Sequence, residues 1–386
     1  MTASDRRSQL RSWAAWLRPL GDAILPVTML RGRARNGSGP AALLVAGSLA
    51  RVAWLVDAFF AEAPVREALG HVPAWRLLRT LRRHAASTDL VVARVARKSG
   101  GALGFDDDWL AVPDWVGMRI AAPFDLAAIA KRSHSVADDL RRMRRAGFTH
   151  AFSRHGPDLA VFHRDYYLPF MRNRHGDEAV IRSSRRLRRR FRRGGILWIH
   201  RGGERVAGVL IEFRRGVLAA LAIGVARGDA GIVREGAFAA IYRALLDHAQ
   251  RSGCTAVDLR GSRPSPLDGL TRYKRKWGAL LYDRADVVST IFVRWQSMTP
   301  AVSAFLARTP LIFRDGDALS VIGTVDENDP ASSRRALCLP ELKRRILAAR
   351  DTPAEPFDRA SEVAVAPLDP EAGPRTLLRS ALLRPG

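Results

Sequence analysis

The stretch Ile196 to Val225 constrains the chain more than any other, because here the apolar residues leave the helical period and pause only at two turns. Ile196 to His200 and Val206 to Phe213 flank Gly202-Gly203, a pair that tolerates positive φ and so closes a hairpin. Arg214-Arg215-Gly216 turns the chain again into Val217 to Val225. Three antiparallel strands in succession make a meander.

The flanks are helical. Leu159, Phe162, Tyr166 and Phe170 form one apolar face, which Pro169 should kink or end. Ile181, Ser184, Leu187 and Phe191 mark a narrower stripe on a helix with eight arginines between residues 182 and 193. After the meander, the loop Ala226 to Glu235 leads to Phe238, Ile241, Leu245 and Ala249 at helical spacing, stopped by Gly253. Thr255 to Leu259 reads as a short strand. Ser265-Pro266-Leu267-Asp268 then has the serine cap, first-turn proline and acid that open a helix. The order is helix, helix, meander, helix, strand, helix: a mixed α/β (α+β) domain.

At 386 residues the chain is too long for one ordinary core and suits two or three packed units. Upstream, Leu90 to Ala96 and Trp115 to Ala121 look like strands. Ser135-Val-Ala-Asp138 has capping-box spacing and opens a helix that stops at Gly147. Residues 1–38 end in RGRARNGSGP and read as a basic, Gly/Ser-rich arm. A strand is expected over Val287 to Arg294, a helical segment near Leu339 to Ala349, and little core beyond residue 352 except a docked helix over Thr376 to Leu383.

The formal net charge is +25, from 63 basic and 38 acidic residues, and it favours polyanionic ligands or surfaces. Only five of the basic residues are lysines: Lys98, Lys131, Lys274, Lys276 and Lys343. Cys254 and Cys338, far apart, make neither a disulfide framework nor a zinc site. The longest apolar run, Ala41 to Trp54, is broken by Arg51 and shorter than the roughly 20 residues a bilayer span needs. With no signal-peptide core behind MTASDRRSQLRSW, a cytoplasmic protein without a transmembrane segment is expected.

Three runs carry a family resemblance: DLRRMRRAGF (139–148), YLPFMRNRHG (167–176) and DLRGSRPSPLDGLTRYKRKWG (258–278). They resemble the FemAB-like branch of the GNAT acyltransferases, in which a strand ending in Asp and small residues leads to a helix with an aromatic-Lys-x-x-aromatic-Gly signature. Tyr273-Lys274-Arg275-Lys276-Trp277-Gly278 fits that signature. The resemblance covers about residues 135–282. It implies a GNAT fold, a mixed, mostly antiparallel sheet flanked by helices, in two tandem GNAT-like halves. The expected division is an arm at 1–38, a degenerate half at 39–150, an acyltransferase domain at 151–294, an extension at 295–351 and a Pro/Ala-rich tail at 352–386. No internal sequence repeat accompanies it.

The resemblance also assigns roles. GNAT proteins hold an acyl-CoA on a glycine-rich turn before a helix, where backbone N–H groups and the helix dipole face a pyrophosphate. The corresponding loop offers Gly224, Arg227, Gly228, Gly231, Arg234 and Gly236, although it is longer than the usual turn. Lys274, directly after the aromatic residue, would stabilise a developing oxyanion, or else belong to a solvated basic face. Asp258 at a strand end could accept a proton from an attacking amine, or simply pair with Arg260. Tyr273 and Tyr242 could donate a proton to a leaving thiolate or serve as packing, and His175 and His200 are bases only if they are not surface histidines. Arg185, Arg189 and Arg260 would contact a phosphorylated, acidic or nucleic-acid partner, or else the arginine tract is a partly disordered, solvated arm.

The expected activity is therefore transfer of an acyl group from an activated donor, acyl-CoA or acetyl-CoA in the simplest case, to an amine, with no metal. Two alternatives stay open. One is aminoacyl-tRNA-dependent peptide-bond formation on cell-envelope precursors, with tRNA as a partner. The other is a non-catalytic basic protein that binds nucleic acid or an anionic surface.

Overall fold

The computed structural model describes residues 24–175, 181–325, 329–349, 363–367 and 373–380. Strands in chain order are β1 (Ile24–Arg33), β2 (Pro40–Ala46), β3 (Val65–Pro73), β4 (Leu90–Ala96), β5 (Leu110–Pro113) and β6 (Val116–Ala121). Next come β7 (Thr149–Ser153), β8 (Gly194–Arg201), β9 (Glu204–Arg214), β10 (Val217–Val225), β11 (Ala256–Ser262) and β12 (Leu280–Asp283). The last five are β13 (Ser289–Arg294), β14 (Leu311–Asp315), β15 (Ala318–Thr324), β16 (Arg345–Ala349) and β17 (Val363–Pro367).

The helices are α1 (Leu49–Phe59), α2 (Leu77–Ala85), α3 (Leu126–Arg132) and α4 (His134–Arg145). Helix α5 runs from Asp158 to His175, with a π-helical stretch over Phe162–Tyr167. It is followed by α6 (Ser184–Phe191), α7 (Ala230–Arg234), α8 (Ala237–Arg251) and α9 (Gly269–Lys276). Then come α10 (Pro300–Arg308), α11 (Pro330–Leu337) and α12 (Pro374–Ser380).

The chain divides into two compact units, neither contiguous in sequence. The first takes residues up to Trp115, then Arg263–Asp268 and everything from Asp283; the second takes Val116–Ser262 and Gly269–Tyr282.

In the first unit a six-stranded sheet runs β3-β1-β2-β4-β13-β5. Strands β2 and β4 pair in parallel, and their runs Leu43-Leu44-Val45-Ala46 and Leu90-Val91-Val92-Ala93 are buried throughout. Continuous apolar runs of this kind belong to strands covered on both faces. One face packs Val52, Leu55 and Phe59 of α1 with Phe305 of α10; the other packs Leu77 and Leu81 of α2. A second sheet, β14-β15-β16-β17, adds Leu311, Phe313, Ile322 and Ile346 to the first of these cores.

The second unit is built on a seven-stranded sheet, β12-β6-β11-β10-β9-β8-β7. The meander β8-β9-β10 is as the sequence requires. Its turns sit at Gly202 (φ 57°) and Gly203 (φ 84°), then at Arg215 (φ 51°) and Gly216 (φ 72°). Helix α8 follows, and β11 returns parallel to β10. This is the order expected from the sequence, in a mixed, mostly antiparallel sheet with helices flanking it.

The two sheets exchange strands. β5 and β6 are separated by only Asp114 and Trp115, yet β5 closes the first sheet while β6 lies between β11 and β12 of the second. Conversely, β13 follows β12 in sequence but lies between β4 and β5. The division at 150/151 is therefore replaced: residues 116–150 belong with the meander, and 283–294 with the first unit.

Other expectations need correction too. The arm at 1–38 is overturned from residue 24 onward, because Ile24–Arg33 is β1, paired with both β2 and β3; residues 1–23 lie outside the described residues. The helix at Leu339 to Ala349 is instead strand β16, and the helix lies earlier, at α11. Helix α4 is capped by Ser133, whose hydroxyl accepts the Val136 N–H, so Ser135 falls inside it. Helix α9 begins four residues beyond Ser265, after a turn closed by Asp268 N–H on the Ser265 carbonyl. Pro169 does not end α5, since the hydrogen-bond ladder widens to π just before it.

Candidate active site

Strands β10 and β11 pair over only three residues each, Val217–Ala219 against Ala256–Asp258. Both then become irregular. β10 slips its register with β9 between Ala220 and Ala222, and β11 slips against β6 between Asp258 and Gly261. The slip puts Ala219, Leu221 and Ala222 in one core cluster, where strict alternation would not. Beyond the slips no β10–β11 pair forms, so the C-terminal halves part into a notch, the position at which open α/β sheets commonly receive ligands. Backbone groups released by parted strands must find other partners. Side chains supply them.

On the β11 side, Asp258 is buried and both its oxygens are taken by Arg260. Oδ1 accepts the Arg260 backbone N–H at 2.8 Å and Oδ2 accepts Nη1 at 3.2 Å. That grip holds Arg260 in the left-handed region (φ 61°), a conformation rare for a residue with a Cβ. Helix α9 delivers Lys274, 4% exposed, whose Nζ donates to the carbonyls of Gly261 at 2.8 Å and Arg260 at 3.3 Å. Three residues singled out from sequence thus converge on one irregularity. Asp258 pairs with Arg260, and Lys274 lies within the structure rather than on a solvated face.

Tyr273 points elsewhere. Its ring meets Tyr242 edge-on with centroids 5.3 Å apart, and Phe238 at 6.1 Å. Burial, reinforced by the Asp139 carboxylate, raises the Tyr273 hydroxyl well above the usual phenol range, and burial does the same to Tyr242. Lys276 sits 4.2 Å above the Tyr273 ring and pairs with Asp139 at 2.5 Å. Both rings pack in one aromatic cluster, and burial disfavours the phenolate at each.

The loop after β10 uses its glycines for close approach. A Cβ on Gly224 would lie 2.7 Å from the Tyr166 carbonyl carbon, and one on Gly228 2.9 Å from the Pro169 oxygen, so the loop presses on α5. Gly236 (φ 110°) starts α8 with the Met143 backbone 3.1 Å from where its Cβ would be. Asn173 Nδ2 donates to the Arg227 and Gly228 carbonyls, and Arg142 to that of Arg234. Gly231 N–H, one of the donors a pyrophosphate would use, already reaches Asp229 Oδ1 at 2.6 Å. Arg227 and Arg234 are exposed, but so are Asp229 and Glu235, and Glu235 is paired with Arg201. The loop is charge-balanced and caps itself.

Helix α6 is pinned to the sheet by Arg190, and by Arg193 just past its end. Arg190 Nη1 lies 2.6 Å and Arg193 Nε 2.8 Å from the carboxylate of Glu212, which is 2% exposed on β9. Arg185 and Arg189 do not approach the notch residues above. Together with Arg186, Arg188 and Arg192 they are exposed, with no side-chain partner among the described residues.

Sequence reasoning missed His163, Tyr167 and Arg182. Arg182 Nη1 donates to the Leu221 carbonyl, at the slip of β10, and its N–H reaches the Tyr167 hydroxyl at 3.1 Å. His163 Nε2 lies 3.2 Å from the Arg182 carbonyl. One arginine among eight gives no signal, and His163 is hidden within a helical pattern. Of the histidines considered from sequence, His200 is half-buried, with its pKa lowered by burial and then by Arg205; the side chain of His175 lies outside the described residues.

Two open pockets, of about 700 and 350 Å3, lie in the first unit, the larger beside Arg31, Arg33, Glu62 and Asp89; neither is lined by a residue singled out from sequence. Among the described residues, no group of three or more His, Cys, Asp or Glu is placed to hold a metal ion. None of their helices is long and apolar enough to cross a membrane.

No protein-family model and no curated protein matches the chain. Solved structures similar to it include L-PGS from Bacillus licheniformis, at 13% identity and TM-score 0.35, covering 69% of this chain and 83% of that one. A structure of FemX is similar at 12% identity and TM-score 0.32, over 65% and 80%. A GCN5-related N-acetyltransferase from Sphaerobacter thermophilus is similar at 14% identity and TM-score 0.31, over 74% and 84%.

Proposed function

We propose that the second unit transfers an acyl group from an activated carrier to an amine, in the notch between β10 and β11. The observation that carries this reading is the parting of a parallel strand pair after three residues, with buried Asp258 and Lys274 and half-buried Arg182 fixing the released backbone on its two sides. Pre-set peptide dipoles at such a site stabilise charge developing on a carbonyl oxygen without reorganising. The amine nitrogen bonds to the carbonyl carbon, the carbonyl pair moves onto oxygen, and collapse expels the carrier with its electron pair, while the proton the amine loses passes through solvent to the departing carrier. Asp258 and Lys274 serve as positioning groups in this scheme, since each is committed to the backbone of β11.

Acyl-CoA is the simplest donor. A second reading, an aminoacyl-tRNA donor, is favoured by two observations: the self-capped loop at Gly231, and the five exposed arginines of the α6 region held outward by the grip on Glu212. Exposed guanidinium groups in a row suit a phosphate backbone, which releases counterions on binding.

Thermal unfolding and carrier release, measured with acetyl-CoA, CoA and charged tRNA at two salt concentrations and with a panel of amines, test both. Stabilisation by acetyl-CoA that survives high salt, with CoA released, supports the first donor. Amino-acid transfer from tRNA that weakens in Arg185→Glu/Arg189→Glu supports the second. Salt-sensitive tRNA binding with no transfer from either carrier overturns the transferase reading.

A further inference from the structure

The β10 side of the notch is held by a device on α5. Over Phe162–Tyr167 that helix is π-helical for six residues. Such stretches are rare and are frequently found at functional sites. Gly224 admits this stretch against β10, since a Cβ there would lie 2.8 Å from the Tyr167 nitrogen. From adjacent turns of the widened helix, two side chains take hold of one residue. The Tyr167 hydroxyl accepts the Arg182 N–H at 3.1 Å, and His163 Nε2 meets the Arg182 carbonyl at 3.2 Å. A carbonyl only accepts, so this contact requires the proton on Nε2. Gripped at both backbone groups, Arg182 sends Nη1 2.5 Å to the Leu221 carbonyl. Leu221 is the residue that the β9–β10 register skips, between the pairs Ala220–Ile211 and Ala222–Leu210.

We propose that Arg182, presented by His163 and Tyr167, is a positioning residue that fixes the plane of the Leu221–Ala222 peptide where β10 leaves β11. A peptide is planar, so holding the Leu221 oxygen also sets the direction of the Ala222 N–H. A bulge left to itself is the softest part of a strand. One charge-assisted bond from a clamped guanidinium removes that softness, and the acceptor geometry of the notch depends on it. The catalytic part of this inference rests on the acyl-transfer reading above; the structural part does not.

The test pairs amide exchange with kinetics on the full chain. Arg182→Gln should speed exchange of the Ala222 amide about tenfold or more, as expected when a hydrogen bond to a charged donor is lost. It should leave the amides of α8 unchanged. Turnover should fall by a similar factor with the donor KM unaltered. Arg182→Lys, which keeps a charged donor, should recover part of both. His163→Gln keeps an N–H for the Arg182 carbonyl and should stay near wild type, whereas His163→Ala should not. Wild-type exchange at Ala222 in Arg182→Gln overturns the proposal whatever the activity. If the wild type releases no carrier from either donor class, the acyl-transfer reading falls while the exchange result still judges the clamp. Should Arg182→Gln fail to fold, Tyr167→Phe, which loses only the hydroxyl that accepts the Arg182 N–H, is read the same way.

Discussion

Gly224 has two competing explanations, and one substitution separates them. As part of a phosphate-binding turn it would be needed for ligand approach, and Gly224→Ala would spare stability while abolishing donor binding. The structure gives a different reason. The added Cβ would stand 2.7 Å from the Tyr166 carbonyl carbon, 2.8 Å from Tyr166 Cβ and 2.8 Å from the Tyr167 nitrogen. Ordinary contact is about 3.5–4.0 Å, so the shortfall is roughly 1 Å at each of three atoms. None is the free end of a side chain. Phe162 and Tyr167 are buried on either side, so α5 is not free to back away.

Overpacking of this kind costs about 1–3 kcal/mol, against roughly 0.5–1 kcal/mol returned by alanine's smaller backbone entropy loss. A net destabilisation centred near 1 kcal/mol is expected, or about 2–4 °C in Tm at roughly 2–4 °C per kcal/mol. Gly231→Ala is the matched control. Its Cβ would come closest to Asp229 Oδ1 at 2.9 Å, a carboxylate end that can turn aside, and the cap bond this loosens is offset by alanine's better helix propensity, about 1 kcal/mol. Calorimetry should therefore lower the Tm of Gly224→Ala and leave Gly231→Ala nearly unmoved. A Gly224→Ala protein that melts within about 1 °C of wild type refutes the packing argument.

Lys274→Met keeps the buried stem but strands the Arg260 and Gly261 carbonyls; a loss of about 2–3 kcal/mol in urea unfolding is expected, and unchanged stability removes Lys274 from its structural post. His150 and His248 have pKa values lowered mainly by burial, with Arg251 contributing at both and Asp247 opposing at His150. The unfolded chain then binds more protons near pH 6, so stability is full above the ordinary histidine value of 6.5 and falls as the pH drops through and below it. Melting from pH 8 to pH 5 should show that slope, and His150→Gln/His248→Gln should flatten it. Residues 151–294, expressed alone, lack β6 between β11 and β12 and should give no cooperative melt by circular dichroism; a sharp transition would show that the exchange is dispensable.

What could be read from sequence was whatever local chemistry decides. The meander was legible because Gly202-Gly203 and Arg215-Gly216 needed positive φ, and α8 because Ile241, Leu245 and Ala249 are buried at helical spacing. Strand β3 was not legible: it is an edge, exposed on both faces over most of its length, so no alternation marks it. Strand β16 lies in a run of strong helix formers, and its parallel pairing with β15 and β17 overrides that propensity. At the site, the Asp258–Arg260 pairing was anticipated as one alternative, whereas the burial of Lys274 was not, because its carbonyl partners exist only once β11 slips. The exchange left no local trace. A two-residue link between β5 and β6 looks like any tight turn, and only the sheets reveal that the two strands part company.

The repetition of one strand pattern explains why the notch belongs to one unit and not the other. In the first sheet the parallel pair β2–β4 is followed by β13 and β5; in the second, β10–β11 is followed by β6 and β12. The first pair stays in register to the last residue of β2, Ala46 against Ala93. Gly47 (φ 104°) then brings its backbone so near β4 that a Cβ would lie 2.9 Å from the Arg94 carbonyl. Arg94 is itself tied down by Asp114 at 2.6 Å and by Ser289. No gap opens there. In the second pair the slips at Leu221 and at Arg260 part the strands after three residues, and charged side chains, buried (Asp258, Lys274) or half-buried (Arg182), hold the freed backbone. Burying charge for that purpose is costly unless every partner is satisfied. The second unit, unlike the first, holds its freed backbone with charged side chains on each of the two parted strands, and that asymmetry is the strongest physical ground for placing chemistry there.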